Sequence, residues 1–429
     1  VTIHDRLRDL SGALGLGRAD GWQNPFTGFG TSRDKLSHTI FAPSLRLSDP
    51  ELSALYHGDD MARKIVEIVP REMLRQGYRV TGPGSDQIQT TLTDLDATRQ
   101  VLDGLLWGRL FGGALLILGV DDGLPADQPL ALDRIVGRGV AYLQVYDRRR
   151  LTVERRNEDP ASPDYQEPEV YRIQPIRGQS STVHVSRTIR FSGAHTAQEE
   201  QEELDGWDLS VLQVCYPALQ MFNTAHQAGT LMLSDASQAV FTMRGLISAL
   251  AGGQKQDLMS RAVLLDMGRS VARAVMLDAE GGERYEKIAT QFAGVPEMMD
   301  RAANRLAASS EIPVTLLMGQ APAGLNATGD TDLRIFYDRI KSDQANILAP
   351  ILIQLVHVTA LALGIRGEHG VIFPSLFQET PKERREADKL LADTDAIYLD
   401  REVLTPEEVR ARRFGLAPSS TPPSPPPSP

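Results

Sequence analysis

Apolar residues recur at three- and four-residue spacing over residues 49–75, 91–111, 209–248, 296–310 and 331–363. That period predicts amphipathic helices. Between them, ALLILGV (114–120) is an unbroken apolar run closed by Asp122-Gly123, the pattern of a buried strand. VAYLQVYD, LTVERR, EVYRIQPI and TVHVSRTIRF, within 140–192, alternate or are β-branched and predict a β-rich region. The run EEQEELD (199–205) predicts a solvated loop. RAVMLDA and ERYEKIAT flank Gly281-Gly282 as a hairpin.

Punctuation sharpens these elements. Asp49 as N-cap with Pro50 behind it starts the first helix, which runs to Pro70. Gly104, Gly108 and Gly112, four apart, leave a flat stripe on the second helix for close packing. Pro313 ends the 296–310 helix. Asp330 or Thr331 caps the long helix that follows, and Pro350 should kink it near 346–350, because proline removes one backbone bond and crowds the turn before it. VIFPSLF then reads as a strand, Pro381 opens a helix to about Ala392, and Thr405 with Glu408 forms a capping box. The Gly-rich residues 1–30 read as a loose arm and APSSTPPSPPPSP as an extended tail.

Composition adds limits. The chain has 429 residues, 41% hydrophobic and 24% charged, with a formal net charge of −11. Such a surface argues against tight non-specific nucleic-acid binding, which needs Lys and Arg to neutralise phosphates. A single cysteine, Cys215, excludes an internal disulfide and a cysteine zinc site. The first ten residues lack a signal-peptide core, so secretion is not expected. Residues 344–365 carry no Asp, Glu, Lys or Arg and are long enough to cross a bilayer. Asn346, Gln354, His357 and Pro350 inside them favour a buried core helix.

Tests for catalysis are negative. MGQAPAGLNATGDTD (318–332) spaces Gly319, Gly324 and Gly329 by five, yet no Lys-Ser/Thr follows, so it is no phosphate-binding loop. It reads as a mobile loop joined to the long helix. There is no HExxH and no GxSxG. His184-Val185-Ser186 and His357-Val358-Thr359 are two H-x-[ST] triplets, the signature of two-histidine phosphoesterases, but the second falls in a helix. His57, Asp59 and Asp60 suit an acidic helix start better than a metal site. Arg148, Arg149, Arg150, Arg155 and Arg156 suit a solvated strand edge. No catalytic residue, metal or cofactor is expected.

Residues 295–344, with PVTLLMGQAPAGLNATGDTDLRIFYDRI inside them, resemble the portal proteins of tailed bacteriophages and prophages, in their phage-associated, anti-CBASS-type branch. Support comes from VEIVPREMLRQGYRV (66–80), WGRLFGGALLILGVDDG (107–123), VHVSRTIRFSG (183–193) and ADTDAIYLDREVLTPEEVRARRFG. The resemblance implies an α+β portal fold with a β-rich wing, long stem helices, a small α/β clip, a long kinked helix and a helical crown. It places an arm at 1–30, the wing at 31–210, stem helices at 211–240 and 293–312, and the clip at 241–292. The wing returns at 313–365, the crown spans 366–414, and a tail spans 415–429. Residues 319–330 become the tunnel loop, with Gln320, Ala321, Pro322, Gly324, Asn326, Thr328 and Gly329 lining the channel and Pro350 the hinge of the helix. The implied role is a ring of twelve copies at one capsid vertex, passing double-stranded DNA non-specifically in packaging and ejection. The implied partners are the terminase large subunit, a head–tail adaptor and the major capsid or scaffold protein. The implied location is the virion, after assembly in the bacterial cytoplasm. Two other readings are open: a phosphoesterase using His184 and His357, and a membrane channel built on 344–365.

Overall fold

A computed structural model describes residues 46–137, 139–234, 237–242, 284–289, 294–319, 326–377, 381–401 and 403–414. The expected arm, tail, nearly all of the clip and residues 320–325 of the loop lie outside the described residues.

Helices α1 (Asp49–Gly58) and α2 (Asp60–Leu74) lead into β1 (Arg79–Thr81), α3 (Ser85–Asp94) and α4 (Ala97–Phe111). The β-rich part holds β2 (Gly113–Val120), β3 (Val140–Asp147), β4 (Leu151–Arg156), β5 (Pro168–Ile173), β6 (Ser181–His184) and β7 (Thr188–Ser192). After it come α5 (Gln198–Glu203), α6 (Val211–Ser234), β8 (Ser237–Thr242), β9 (Arg284–Ala289), α7 (Val295–Ser310) and α8 (Val314–Met318). The long helix is α9 (Asn326–Asp343), a π-helical turn at Gln344–Leu348, and α10 (Ala349–Ala362). β10 (Gly370–Ile372), α11 (Pro381–Asp400) and α12 (Pro406–Phe414) complete the described residues.

Strand β2 is buried along its whole length. It is the middle strand of the antiparallel sheet β3-β2-β7. Ala114, Leu116, Leu118 and Val120 face the main core of helices, whereas Leu115 and Ile117 join Leu151, Tyr171, Ile173, Val183 and Trp207 in a second core under the sheet β4-β5-β6. A strand covered on both faces has no polar side to alternate with, which is why its sequence is an unbroken apolar run.

The glycine stripe of α4 lies on this sheet. A Cβ at Gly104 would sit 2.4 Å from the Phe191 ring, and one at Gly108 would sit 2.8 Å from the Ser192 carbonyl oxygen. At Gly112, with φ +87, it would sit 2.0 Å from the Asp208 carbonyl oxygen. The helix can approach β7 only because these side chains are missing. A second tie holds the loop after β2. Buried Arg187 pairs with buried Asp122 (2.7 Å), while Asp122 accepts the Leu124 and Ala131 N–H groups. Burial pushes the Asp122 carboxyl up, but the Ala131 N–H, Arg187 and the Leu124 N–H outweigh it and hold the pKa at about 2.

The structure departs from the sequence expectations where tertiary contacts override local signals. Ser48, not Asp49, caps α1, with Glu51 closing the box. Pro70 lies inside α2, which continues to Leu74. The expected 91–111 helix is two, broken at Asp96 in a left-handed conformation (φ 52). The acidic run is the short helix α5 rather than a loop. The expected 209–248 helix stops at Ser234, and 237–242 is a strand paired with Arg284–Ala289, whereas the expected hairpin turn at 281–282 and its RAVMLDA strand lie outside the described residues. Ser310 ends the 296–310 helix, with Glu311 left-handed (φ 55), ahead of Pro313. α11 extends to Asp400, whereas the Thr405–Glu408 box forms as expected.

Gly108→Ala should destabilise the chain by about 1–3 kcal/mol through overpacking, although alanine is the better helix former by about 1 kcal/mol; urea unfolding monitored by circular dichroism measures this. Asp122→Asn should lower the thermal midpoint at neutral pH. The folded pKa is depressed, so this stabilisation is complete above the ordinary carboxylate value near ~4 and is lost as pH falls toward about 2. The gap in midpoint between wild type and variant should therefore shrink over that window.

Candidate functional site

Three interior prolines punctuate the described helices: Pro70 in α2, Pro217 in α6 and Pro350 near the start of α10. A helical proline leaves the carbonyl one turn earlier without its N–H partner. For Pro70 that carbonyl belongs to Val66. The Arg109 side chain of α4 supplies the donor: Nε reaches Val66 O at 3.2 Å and Nη2 reaches Ile65 O at 2.8 Å. One guanidinium thus repairs α2 and ties it to α4. Burial, with the Arg339 charge beside it, lowers the Arg109 pKa to about 10, which leaves it a cation at neutral pH.

At Pro350 the chain uses a different device. The turn before it, Gln344–Leu348, is π-helical, a widening that absorbs the missing bond. The irregularity thus falls across the expected 346–350 kink. Gln344 is buried and donates from Nε2 to the Met73 carbonyl (2.7 Å), so the π turn is fastened to the last turn of α2. Asn346 donates to Ser342 Oγ (3.1 Å).

A groove of about 290 Å³ runs between α2, α4, α6, α7 and α9. Arg109 lies in it, and its rim holds Arg339, which pairs with Glu311 (2.5 Å) and approaches Asp343 (3.9 Å). Burial holds the Asp343 carboxyl above its usual range, opposed by Arg339 and Arg109. Val214 of α6 and Ile347 of the π turn, both exposed, flank the same groove.

Of the expected loop residues, Gln320, Ala321, Pro322 and Gly324 lie outside the described residues. Asn326, Thr328 and Gly329 form the first turn of α9, so the helix starts about one turn before the expected Asp330 or Thr331 cap. The loop leaves α8 at Gly319, whose φ of 70 closes that helix, and Lys64 anchors α8 by donating to Leu317 O (2.5 Å).

The two H-x-[ST] triplets do not match each other. His184 Nδ1 lies 2.9 Å from Ser186 Oγ and accepts the Ser186 N–H, which makes a tight turn between β6 and β7. Burial lowers its pKa, partly opposed by Glu169. His357 is exposed on α10, but Thr359 is buried and donates back to Leu355 O (2.8 Å). Residues two apart on a helix face different ways, so this triplet cannot present both groups to one phosphate. Asp59 caps the Ala62 N–H and accepts from Asn223, the helix-start role expected of it. Among the described residues no cluster of His, Cys, Asp and Glu is suited to a metal ion.

These elements define a scaffold of helices and sheets braced by backbone clasps. The same fold is found in neck chains of gene transfer agent particles. It matches the neck of a native particle solved with C12 symmetry at TM-score 0.52 and 16% identity, over 86% of this chain and 93% of that one. It matches the neck of an empty particle solved with C6 symmetry at 0.53 and 16%, over 89% and 96%. The sequence profile of the phage portal protein family matches residues 50–397. The chain belongs to the phage portal protein family.

Relatives named anti-CBASS protein Acb1 are 32% identical over 87% of this chain in Caulobacter sp. (strain RHG1) and 30% identical over 89% in Sphingomonas paeninsulae. The chain spans 62% of the length of each, so over a third of those proteins has no counterpart here. An uncharacterised protein of Haemophilus influenzae is 25% identical over 74% of this chain and 72% of its own length.

The Arg109 clasp and the Gln344 fastening escaped sequence reasoning. A helical pattern that continues through Pro70 was the available signal, since the Val66 carbonyl then needs a donor from elsewhere. Arg109→Met should cost about 1–3 kcal/mol by leaving that carbonyl unpaired, and Arg109→Lys should recover only part, because an ammonium lacks the fork that spans two carbonyls. Chemical denaturation of the three proteins measures both effects.

Proposed function

We propose that the chain is the portal subunit of a phage-like particle, forming a ring of twelve copies at one capsid vertex through which double-stranded DNA is packaged and ejected. Family membership over residues 50–397 carries this reading. The shared fold with neck chains of particles solved with C12 and C6 symmetry supports a ring within a virion. A ring closes by head-to-tail contacts that repeat by rotation.

In this reading, residues 31–210 and 313–365 form the wing, 211–240 and 293–312 the stem, 241–292 the clip and 366–414 the crown. Residues 319–330 are the tunnel loop, set at the channel end of the long helix, and Gln320, Ala321, Pro322, Gly324, Asn326, Thr328 and Gly329 meet the DNA there. Pro350 and its π turn are the point at which that helix adjusts. The net charge of −11 per copy, repeated around a channel, repels phosphates and keeps the duplex from adhering. The chain's partners are a terminase large subunit, a head–tail adaptor and the capsid or scaffold protein, and packaging energy comes from the terminase. Assembly takes place in the bacterial cytoplasm.

Particles assembled in the producing cell without this chain should contain no nuclease-protected DNA, and those built with residues 320–328 deleted should form yet retain less DNA than wild type. Normally filled particles in the absence of the chain would contradict the reading.

A further inference from the structure

A strand at the edge of a sheet carries unpaired N–H and C=O groups, and proteins normally blunt it by brevity, charge or a bulge. Most edges described here follow that rule. β1 has three residues, and Gln89 Oε1 accepts its Val80 N–H (3.1 Å). β4 carries Glu154, Arg155 and Arg156 and shifts register twice against β5. β6 has four residues and β7 five.

Strand β3 breaks the rule. It has eight residues, VAYLQVYD, charged only at the last, and it pairs on one side alone, with β2. Ala141, Tyr142 and Gln144 are exposed, Tyr142 to 53%. Among the described residues no backbone hydrogen bond reaches 141–147 from outside the sheet. Alternate N–H and C=O groups along 142–147 therefore point toward an open side.

The chain that precedes the described residues arrives at this edge. Arg46 is the first described residue, and Arg46, Leu47 and Arg148 line one small cavity. Asp49 accepts from Arg148 (2.6 Å), and Ser53 accepts from Arg149 (3.1 Å). Arg148 directly follows Asp147, the end of β3. Within residues 1–45 the longest run free of charge, glycine and proline is LSHTIFA, 36–42. Thr39, Ile40 and Phe41 in it are strong strand formers, and Pro43 closes it. Residues 43–45 join the run to Arg46 across a reach of about 13 Å. As a strand the run spans about 23 Å, enough to follow all of 142–147.

We infer that residues 36–42 add to the sheet β3-β2-β7 as a fourth strand, lying against 142–147 of the same chain. The point of entry sets the direction. Residue 42 comes in at the Asp147 end, so the run is parallel to β3. Leu36, His38 and Ile40 then share one face, and Ser37, Thr39 and Phe41 share the other. One row extends the core face of Leu143 and Val145, and the other lies beside Tyr142 and Tyr146. The pairing lies within one chain and does not depend on the portal reading.

Hydrogen exchange of the full chain, read by mass spectrometry, tests this. In wild type the amides of 37–42 should exchange at least about ten-fold more slowly than an unstructured chain does. Thr39→Pro and Ile40→Pro each remove one amide, and neighbouring strand residues point opposite ways, so one of the two must lose a bond to β3 in either register. That variant should speed exchange along 142–147 about ten-fold while the β2 amides stay as in wild type. Thr27→Pro, outside the run, should change neither. Residues 36–42 that exchange like an unstructured chain overturn the inference, as does protection of 142–147 that is unchanged in both proline variants. Protection of 36–42 that rises with protein concentration places another copy's segment on β3 and overturns the pairing within one chain.

Discussion

Strand β2 has to be covered on both faces, and the sheets and helices around it are arranged to meet that requirement. One face needs α4, which can come close only because Gly104, Gly108 and Gly112 carry no side chains. The other needs the sheet β4-β5-β6, with Trp207 filling the space beside Gly113. Removing backbone from water is tolerable only where its N–H and C=O groups are paired, and the flanking antiparallel strands supply most of that pairing, β3 along Ala114–Val120 and β7 along Gly113–Ile117. Through α4 the same strand positions Arg109, and through Arg109 it positions α2.

From α2 the dependence passes to the long helix. The guanidinium of Arg109 and the amide of Gln344 both donate to α2 carbonyls, at Ile65, Val66 and Met73. Each clasp sits near a helical proline, Pro70 or Pro350. The chain therefore keeps both prolines and ties each helix to the body close to them.

Much of this was legible in the sequence. The continuous run 114–120, the strands of 140–192, the glycine stripe and the Thr405 box followed from period and turn chemistry acting over a few residues. The elements that were misread depend on distant partners. Residues 237–242, expected as the end of a helix, are a strand paired with RYEKIA (284–289), and such pairing across a long separation has no sequence-local signature. Ser48 outcompetes Asp49 as cap because Glu51 lies three residues after it, a box visible in the sequence but masked by the Asp-Pro signal. The glycine spacing of 318–332 reads as a loop, while its tunnel role came only from the resemblance to portals; of 319–330, Gly319 and the helical residues 326–330 are described. His184 and His357 looked alike as triplets. They separate once Thr359 is seen bonded into its own helix.

The portal reading requires that copies of this acidic chain close into a ring around a DNA channel. Electron microscopy of the full chain in detergent-free buffer tests it most directly. The account predicts closed rings of about twelve subunits with a central hole wide enough for a DNA duplex, as closure by rotation requires. A compact dimer without a hole would contradict it.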